Sequence, residues 1–131
     1  MELFIHPDLV AEDIAGKGRG IRAAKNLPAG ACIERSAVIV MNARSRQLLD
    51  QTLLHDYIFE WPALEAGACC VALGYLSLYN HARPSNCEYL MDYGTATMSI
   101  HTMRDIEAGE ELSINYNGDF DNDSPVWFEM R

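Results

Sequence analysis

The chain has 131 residues, 49% of them apolar, 22% charged, and a formal net charge of −9. This length supports one domain with a real core but not two independent ones, and the negative charge argues against a nucleic-acid-binding module, which normally carries a basic face. No apolar run is long enough to span a bilayer, and Met1 to His6 lacks the basic start of a signal peptide. The expectation is an intracellular protein with no membrane partner, its compartment (cytoplasm or nucleus) left open. Acidity fits two readings, attraction of a basic peptide or solubility alone, and composition does not separate them.

In chain order, short apolar and β-branched runs are divided by Gly, Pro and Asn-Asp signals, which predicts a mostly β fold. Strands are expected over Leu3 to His6, Gly20 to Ala24, Ala31 to Met41, Cys87 to Met91, Thr95 to Met103 and Leu112 to Asn115. In the fifth, Ala96, Met98 and Ile100 alternate with Thr95, Thr97, Ser99 and His101, the period of a half-buried strand, and Asp92-Tyr93-Gly94 provides a turn before it. One helix is predicted from Ala43 to about His55, with Asn42 as N-cap and Leu49 stacked on Leu53. Beyond it, Asp56 to Trp61 is a short strand or an irregular aromatic segment, ended by Pro62. Lys25 to Gly30 and Arg104 to Gly109 repeat one pattern: basic, Asn or Asp, aliphatic, variable, Ala, Gly. They are either two common turns or equivalent turns in a pseudo-symmetric fold.

Gly16-Lys17-Gly18-Arg19-Gly20 is a candidate ligand loop that lets a backbone approach a ligand closely. It is neither a phosphate-binding loop nor a dinucleotide fingerprint, because Ile21 stands where a third Gly is needed and a strand follows. Asn80-His81, reached through apolar Leu76 to Tyr79, must be hydrogen-bonded if buried, and such a pair often staples loops. Tyr116 ends a short apolar strand, where a Tyr usually packs with its hydroxyl toward water. Glu110 and Glu111 point to opposite faces of a strand and are read as structural. Cys32, Cys69, Cys70 and Cys87 lack zinc-finger spacing and the histidines form no metal motif, so no metal site is expected and the thiols are read as buried and reduced.

Taken together, three segments resemble the signatures of SET-domain protein lysine methyltransferases. Gly16 to Ala24 is similar to K-G-x-G-V/I-x-A, residues 78 to 86 resemble N-H-S-x-x-P-N, and residues 109 to 116 resemble G-E-E-L-x-x-x-Y. They come in family order, at the spacing of a compact SET domain, and cover nearly the whole chain. The resemblance implies one SET domain over 1–131, with 117–131 as a short tail. The implied fold is mostly β, with several small sheets and a knot-like crossing in which residues 109 to 118 pass through the loop around Asn80 to Asn86, a rare topology.

The implied activity is methyl transfer from S-adenosylmethionine to the ε-amine of a protein lysine, with a basic, histone-like tail as candidate substrate. Carried over residue by residue, Lys17, Gly18, Arg19 and Gly20 surround the methionine end of the cofactor, Tyr79, Asn80 and His81 line its far side, and Tyr116 is the catalytic tyrosine, its hydroxyl facing the methyl. Tyr57, Phe59, Tyr75, Trp127 and Phe128 are candidate substrate-channel walls, with core packing the competing reading; the last two stand where many family members place a zinc-bound cysteine segment. Departures from the pattern are Ala82 for Ser, Pro84 one position early relative to Asn86, Asn115 for Asp, and Ile114 two positions before Tyr116, where family aromatics often limit methylation. An inactive peptide-binding or assembly module is the alternative, and a small β enzyme of another kind a third reading.

Overall fold

A computed structural model describes residues 2–116. Ten strands build two sheets: β1 (Phe4–Ile5), β2 (Leu9–Ile14), β3 (Gly18–Ala23), β4 (Cys32–Met41), β5 (Ile58–Glu60), β6 (Cys69–Ala72), β7 (Asn80–His81), β8 (Cys87–Asp92), β9 (Thr97–Thr102) and β10 (Glu111–Ile114). The larger sheet runs β5-β6-β4-β9-β8, antiparallel throughout, with β1 beside β6 on the same edge of the long β4. The smaller runs β2-β3-β10-β7, and its last pairing, Ser113 with Asn80 and Ile114 with His81, is parallel. Ile21 and Leu112 from the smaller sheet and Ile33, Met98 and Ile100 from the larger are fully buried in one shared core. Removing such side chains from water is the main stabilising term of a domain this size.

The mostly β expectation holds, with three corrections. The helix α1 spans Ala43–Leu49, capped by Asn42 Oδ1 accepting from Ser45 N at 2.9 Å, and stops well before His55. Thr52 is the reason: its hydroxyl donates to the Leu49 carbonyl at 2.7 Å and accepts from Leu54 N at 3.2 Å, closing one helix and starting a 3-10 turn over Leu53–Tyr57. Leu53 is therefore 76% exposed in a separate element and does not stack on Leu49.

The second correction concerns β9, which is not half-buried. It lies between β4 and β8, and Thr97, Met98, Ser99, Ile100 and Thr102 are all buried, so its small polar residues face a covered side as well. Thirdly, β2, β6 and β7 were not expected as strands. In Leu9–Ile14 only the two end residues are buried, and the strand exists through its full-length pairing with β3, reinforced by an Arg22 to Glu12 ion pair of 2.7 Å. Tertiary pairing outweighs the weak strand propensity of Ala-Glu-Asp here.

The repeated six-residue pattern forms equivalent turns. Leu27 and Ile106 pair with each other, each amide bonding the other's carbonyl at 2.9 and 2.8 Å. Asp105 Oδ1 accepts from Ala29 N at 2.9 Å, and Asn26 Oδ1 accepts from Ala108 N at 2.8 Å. Gly30 and Gly109, with φ of 75° and 87°, donate to the carbonyls of Thr102 and Ala23. Each turn thus caps the other across a local pseudo-two-fold axis, and together they deliver β4 and β10 to the site.

Candidate functional site

Tyr116 follows β10 directly and is fixed at both ends. Its amide donates to His81 Nδ1 at 3.0 Å, and its hydroxyl donates to the Tyr79 carbonyl at 2.8 Å. The His81 and Tyr116 rings lie 5.1 Å apart, tilted by 50°. Burial, then the nearby Tyr57 and Glu111, pushes the Tyr116 phenol up to about 12, so it is a neutral hydrogen-bond donor at ordinary pH.

The segment from Asn80 to Asn86 grips β10 at two places. Asn80 and His81 run parallel to it, and Ala82 N bonds the Ile114 carbonyl at 3.1 Å. Asn86 Oδ1 accepts from Ser113 N and its Nδ2 donates to the Glu111 carbonyl, both at 2.8 Å. Immediately before β10, Glu110 pairs with Arg104 and also accepts from Asn86 Nδ2 at 3.2 Å. The Arg104 guanidinium holds the Glu110 carboxyl down at about 2.

On one side of this assembly lies the glycine loop. Lys17 Nζ donates to Glu111 Oε1 at 2.9 Å, and Asn80 Nδ2 donates to Glu111 Oε2 at 2.8 Å and to the Arg19 carbonyl at 3.4 Å. Gly20 must be Gly: a Cβ there would sit 2.6 Å from Asn80 Nδ2 and 2.7 Å from Ile14 Cγ1. Gly18, with φ of 80°, has open space where its side chain would be, which leaves backbone accessible. Glu111, read from sequence as structural, is the brace that joins loop, β7 and β10.

On the other side is a cavity of about 500 Å³ lined by Tyr57, Phe59, Leu76, Tyr79, Tyr89 and Tyr116, with Asp56 and Glu60 among its polar groups. Phe59 and Tyr89 meet edge to face at 5.3 Å. Of the channel residues expected from sequence, the structure brings Tyr57 and Phe59 to this cavity. Tyr75 does not line it and packs against the core. Trp127 and Phe128 lie outside the described residues. Tyr89 and Met91 line the cavity from β8 but were not singled out, since a strand residue's face is set by its partner strand. Ile114, considered for its position before Tyr116, is fully buried and is not among the lining residues.

Behind Tyr79 stands Glu34, a buried carboxylate on β4. It accepts from Ser36 Oγ and Tyr75 N at 2.8 Å and from the Tyr79 hydroxyl at 3.1 Å. Burial raises its pKa, and those donors pull the other way. Gly74 makes room for the cluster, since a Cβ there would fall 2.4 Å from Glu34 Oε2. The sequence signal is an acid sharing one face of a strand with Ser36 and Val38.

Lys17 is thus joined to Asn80 through Glu111, the Arg19 carbonyl bonds Asn80 directly, Gly20 packs against it, and His81 is bonded to Tyr116, while Tyr79 and Tyr116 also face the cavity. Comparison with known proteins identifies the family. The SET domain family profile matches residues 18–117. A Schizosaccharomyces pombe protein named as a histone-lysine N-methyltransferase specific for H3 lysine-37 is 35% identical over 126 residues, covering 95% of this chain and 80% of that protein. A Plasmodium falciparum crystal structure, provisionally named a histone methyltransferase, has the same fold with a TM-score of 0.63 at 18% identity, covering 95% of this chain and 99% of its own.

Proposed function

The chain belongs to the SET domain family, and from that premise we propose that it transfers a methyl group from S-adenosylmethionine to the ε-amine of a protein lysine. The observation that carries this is the placement of Tyr116: its ring packs on His81 of the β7 segment, whose neighbour Asn80 touches the glycine loop, while Tyr116 itself lines the aromatic cavity. A tyrosine between a backbone-rich loop and a cavity is what transfer between two separately bound partners requires.

The residues fit the cofactor. Gly18 offers open, accessible backbone, and Gly20 keeps the loop pressed against Asn80. Lys17, Gly18, Arg19 and Gly20 would hold it mainly through backbone, and Tyr79, Asn80 and His81 would close the other side. When bound, S-adenosylmethionine supplies an electrophilic methyl group on a positively charged sulfur.

The chain's own contribution is to present a neutral amine and orient it. A lysine ammonium with an ordinary pKa near ~10.4 loses charge more readily in a low-dielectric cavity walled by Tyr57, Phe59 and Tyr89. With its proton donated to the Tyr79 carbonyl, the Tyr116 hydroxyl offers an acceptor oxygen at the cavity wall. Alignment is then mostly a matter of positioning. The same aromatic faces suit a cationic methylated product. Trp127 and Phe128, close after Tyr116 in sequence, are proposed to complete the wall, and residues 1–131 to form a single domain.

The overall charge of −9 suits a basic substrate. The name of the fission yeast relative makes a histone H3 tail the first substrate to test and supports an intracellular location. Calorimetry with S-adenosylmethionine followed by labelled-methyl transfer to histone H3 tests the proposal. Saturable binding and a labelled lysine are expected; no cofactor binding contradicts it, and binding without labelling of H3 or any protein in a cell lysate favours a module that has lost activity.

A further inference from the structure

We propose that Glu34 is a positioning residue for the site, acting on Tyr116 through Tyr79. The inference rests on the methyl-transfer reading only for its catalytic consequence; the physical coupling stands on contacts within the chain.

The geometry is that of a clamp. One carboxylate oxygen of Glu34 accepts from the Tyr75 amide and from Ser36 Oγ, and the other accepts from the Tyr79 hydroxyl. Tyr75 and Tyr79 are the two ends of the segment that contains the 3-10 turn Leu76–Leu78. Glu34 therefore holds that segment at both ends from β4, a strand of the other sheet. The backbone carbonyl of Tyr79 is in turn the acceptor of the Tyr116 hydroxyl at 2.8 Å. A chain of two hydrogen bonds and one residue leads from a buried carboxylate to the hydroxyl at the cavity wall.

Packing makes the clamp stiff. Glu34 and Tyr79 are almost completely buried, and the carboxylate lies so close to Gly74 that a Cβ there would fall 2.4 Å from Glu34 Oε2. A carboxylate buried against neutral donors alone is costly, and replacing it with an apolar residue would be the simpler solution for stability alone. What an apolar side chain would not do is grip an amide and a phenol at once. The donor set at Oε2 also has a direction: Tyr75 N can only donate, so that oxygen must remain an acceptor.

Glu34→Gln keeps the shape and the acceptor at Tyr75, and it turns an amide donor toward the Tyr79 hydroxyl, reversing that bond. Tyr79→Phe removes the bond while keeping the ring. The test uses full-length protein labelled at the Cζ carbon of its tyrosines, with the Tyr116 signal assigned by its loss in Tyr116→Phe. Both variants should fold, shift the Tyr116 Cζ resonance, and lower the methyl-transfer kcat by roughly tenfold while changing cofactor affinity less than about twofold. An unmoved Tyr116 resonance in folded variants whose Tyr79 region is altered overturns the inference. If wild-type protein neither binds cofactor nor transfers methyl, the functional reading fails, and the resonance shift still decides the coupling. A parallel loss of kcat and cofactor affinity would show a general loosening and contradict a positioning role.

Discussion

The Tyr116 hydroxyl and the Tyr79 carbonyl are bonded to each other at 2.8 Å although the residues belong to different elements, one following β10 and the other preceding β7. In the parallel register, with Ser113 opposite Asn80 and Ile114 opposite His81, Tyr79 lies before one end of the pairing and Tyr116 beyond the other, so the contact is made by the Tyr116 side chain reaching back past the His81 ring. Its amide bond to His81 and its hydroxyl bond to Tyr79 together set the position of the phenol before any ligand is present.

Gly20 gives the first prediction. Alanine there meets Asn80 Nδ2, Ile14 Cγ1 and Glu111 Oε2 all within 3 Å, so these side chains or strand β3 must shift and the Asn80–Glu111 bond is disturbed. Gly20→Ala is expected to cost about 1–3 kcal/mol in denaturant unfolding, as overpacking does, and to weaken S-adenosylmethionine binding in calorimetry. Unchanged binding would remove the loop from the cofactor site.

Asn86 fastens the crossing from the side opposite β7. Asn86→Ala strips the partners of the buried Ser113 amide and Glu111 carbonyl. A loss of about 2–4 kcal/mol is expected from two orphaned backbone groups, read by urea unfolding, with faster hydrogen exchange at Ser113. Asn86→Asp should keep the bond from Ser113 but set a buried carboxylate against Glu110 and the Glu111 carbonyl, giving a loss at least as large near neutral pH.

The paired turns predict equal behaviour at two distant positions. Asn26→Ala and Asp105→Ala each free one amide of the opposite turn, and each should destabilise by about 1 kcal/mol, the usual cost of losing such a cap. Because the two turns touch through Leu27 and Ile106, the double variant should depart from additivity. Strict additivity would show that the turns act separately.

Acid sensitivity has a local source in Glu110. Its folded pKa, about 2, lies below the ordinary carboxylate value of 4.5 through its bond to Arg104. The stabilisation is present above pH 4.5 and is lost as pH falls from there toward 2. Wild type should lose more stability over that window than Glu110→Gln, by a modest margin because the pair is exposed. Identical acid profiles would contradict the assignment.

Much of this was legible in the sequence because the relevant signals are local. The Asn42 cap, the six-residue repeat and most strand positions depend on neighbouring residues, and the three signature segments lie contiguous in the chain. The rest depends on partners distant in sequence. Strand β2 exists because β3 pairs with it, β9 is an interior strand because β4 and β8 flank it, and Tyr89 reaches the cavity because of its place in β8. The helix ended early through a single Thr52 hydroxyl. Within the site, Glu111 and Glu34 gain their roles from contacts with residues 94 and 45 positions away, which no window of sequence reveals.

The most direct test of the account replaces Tyr116 with Phe, which keeps the ring on His81 and deletes only the hydroxyl at the cavity wall. Single-turnover transfer of labelled methyl to a histone H3 peptide, measured beside cofactor affinity by calorimetry, should fall by about 100-fold or more while affinity stays within about twofold, the pattern of a group that acts in the transition state. Transfer at the wild-type rate, or equal losses in transfer and affinity, would contradict the role given to Tyr116.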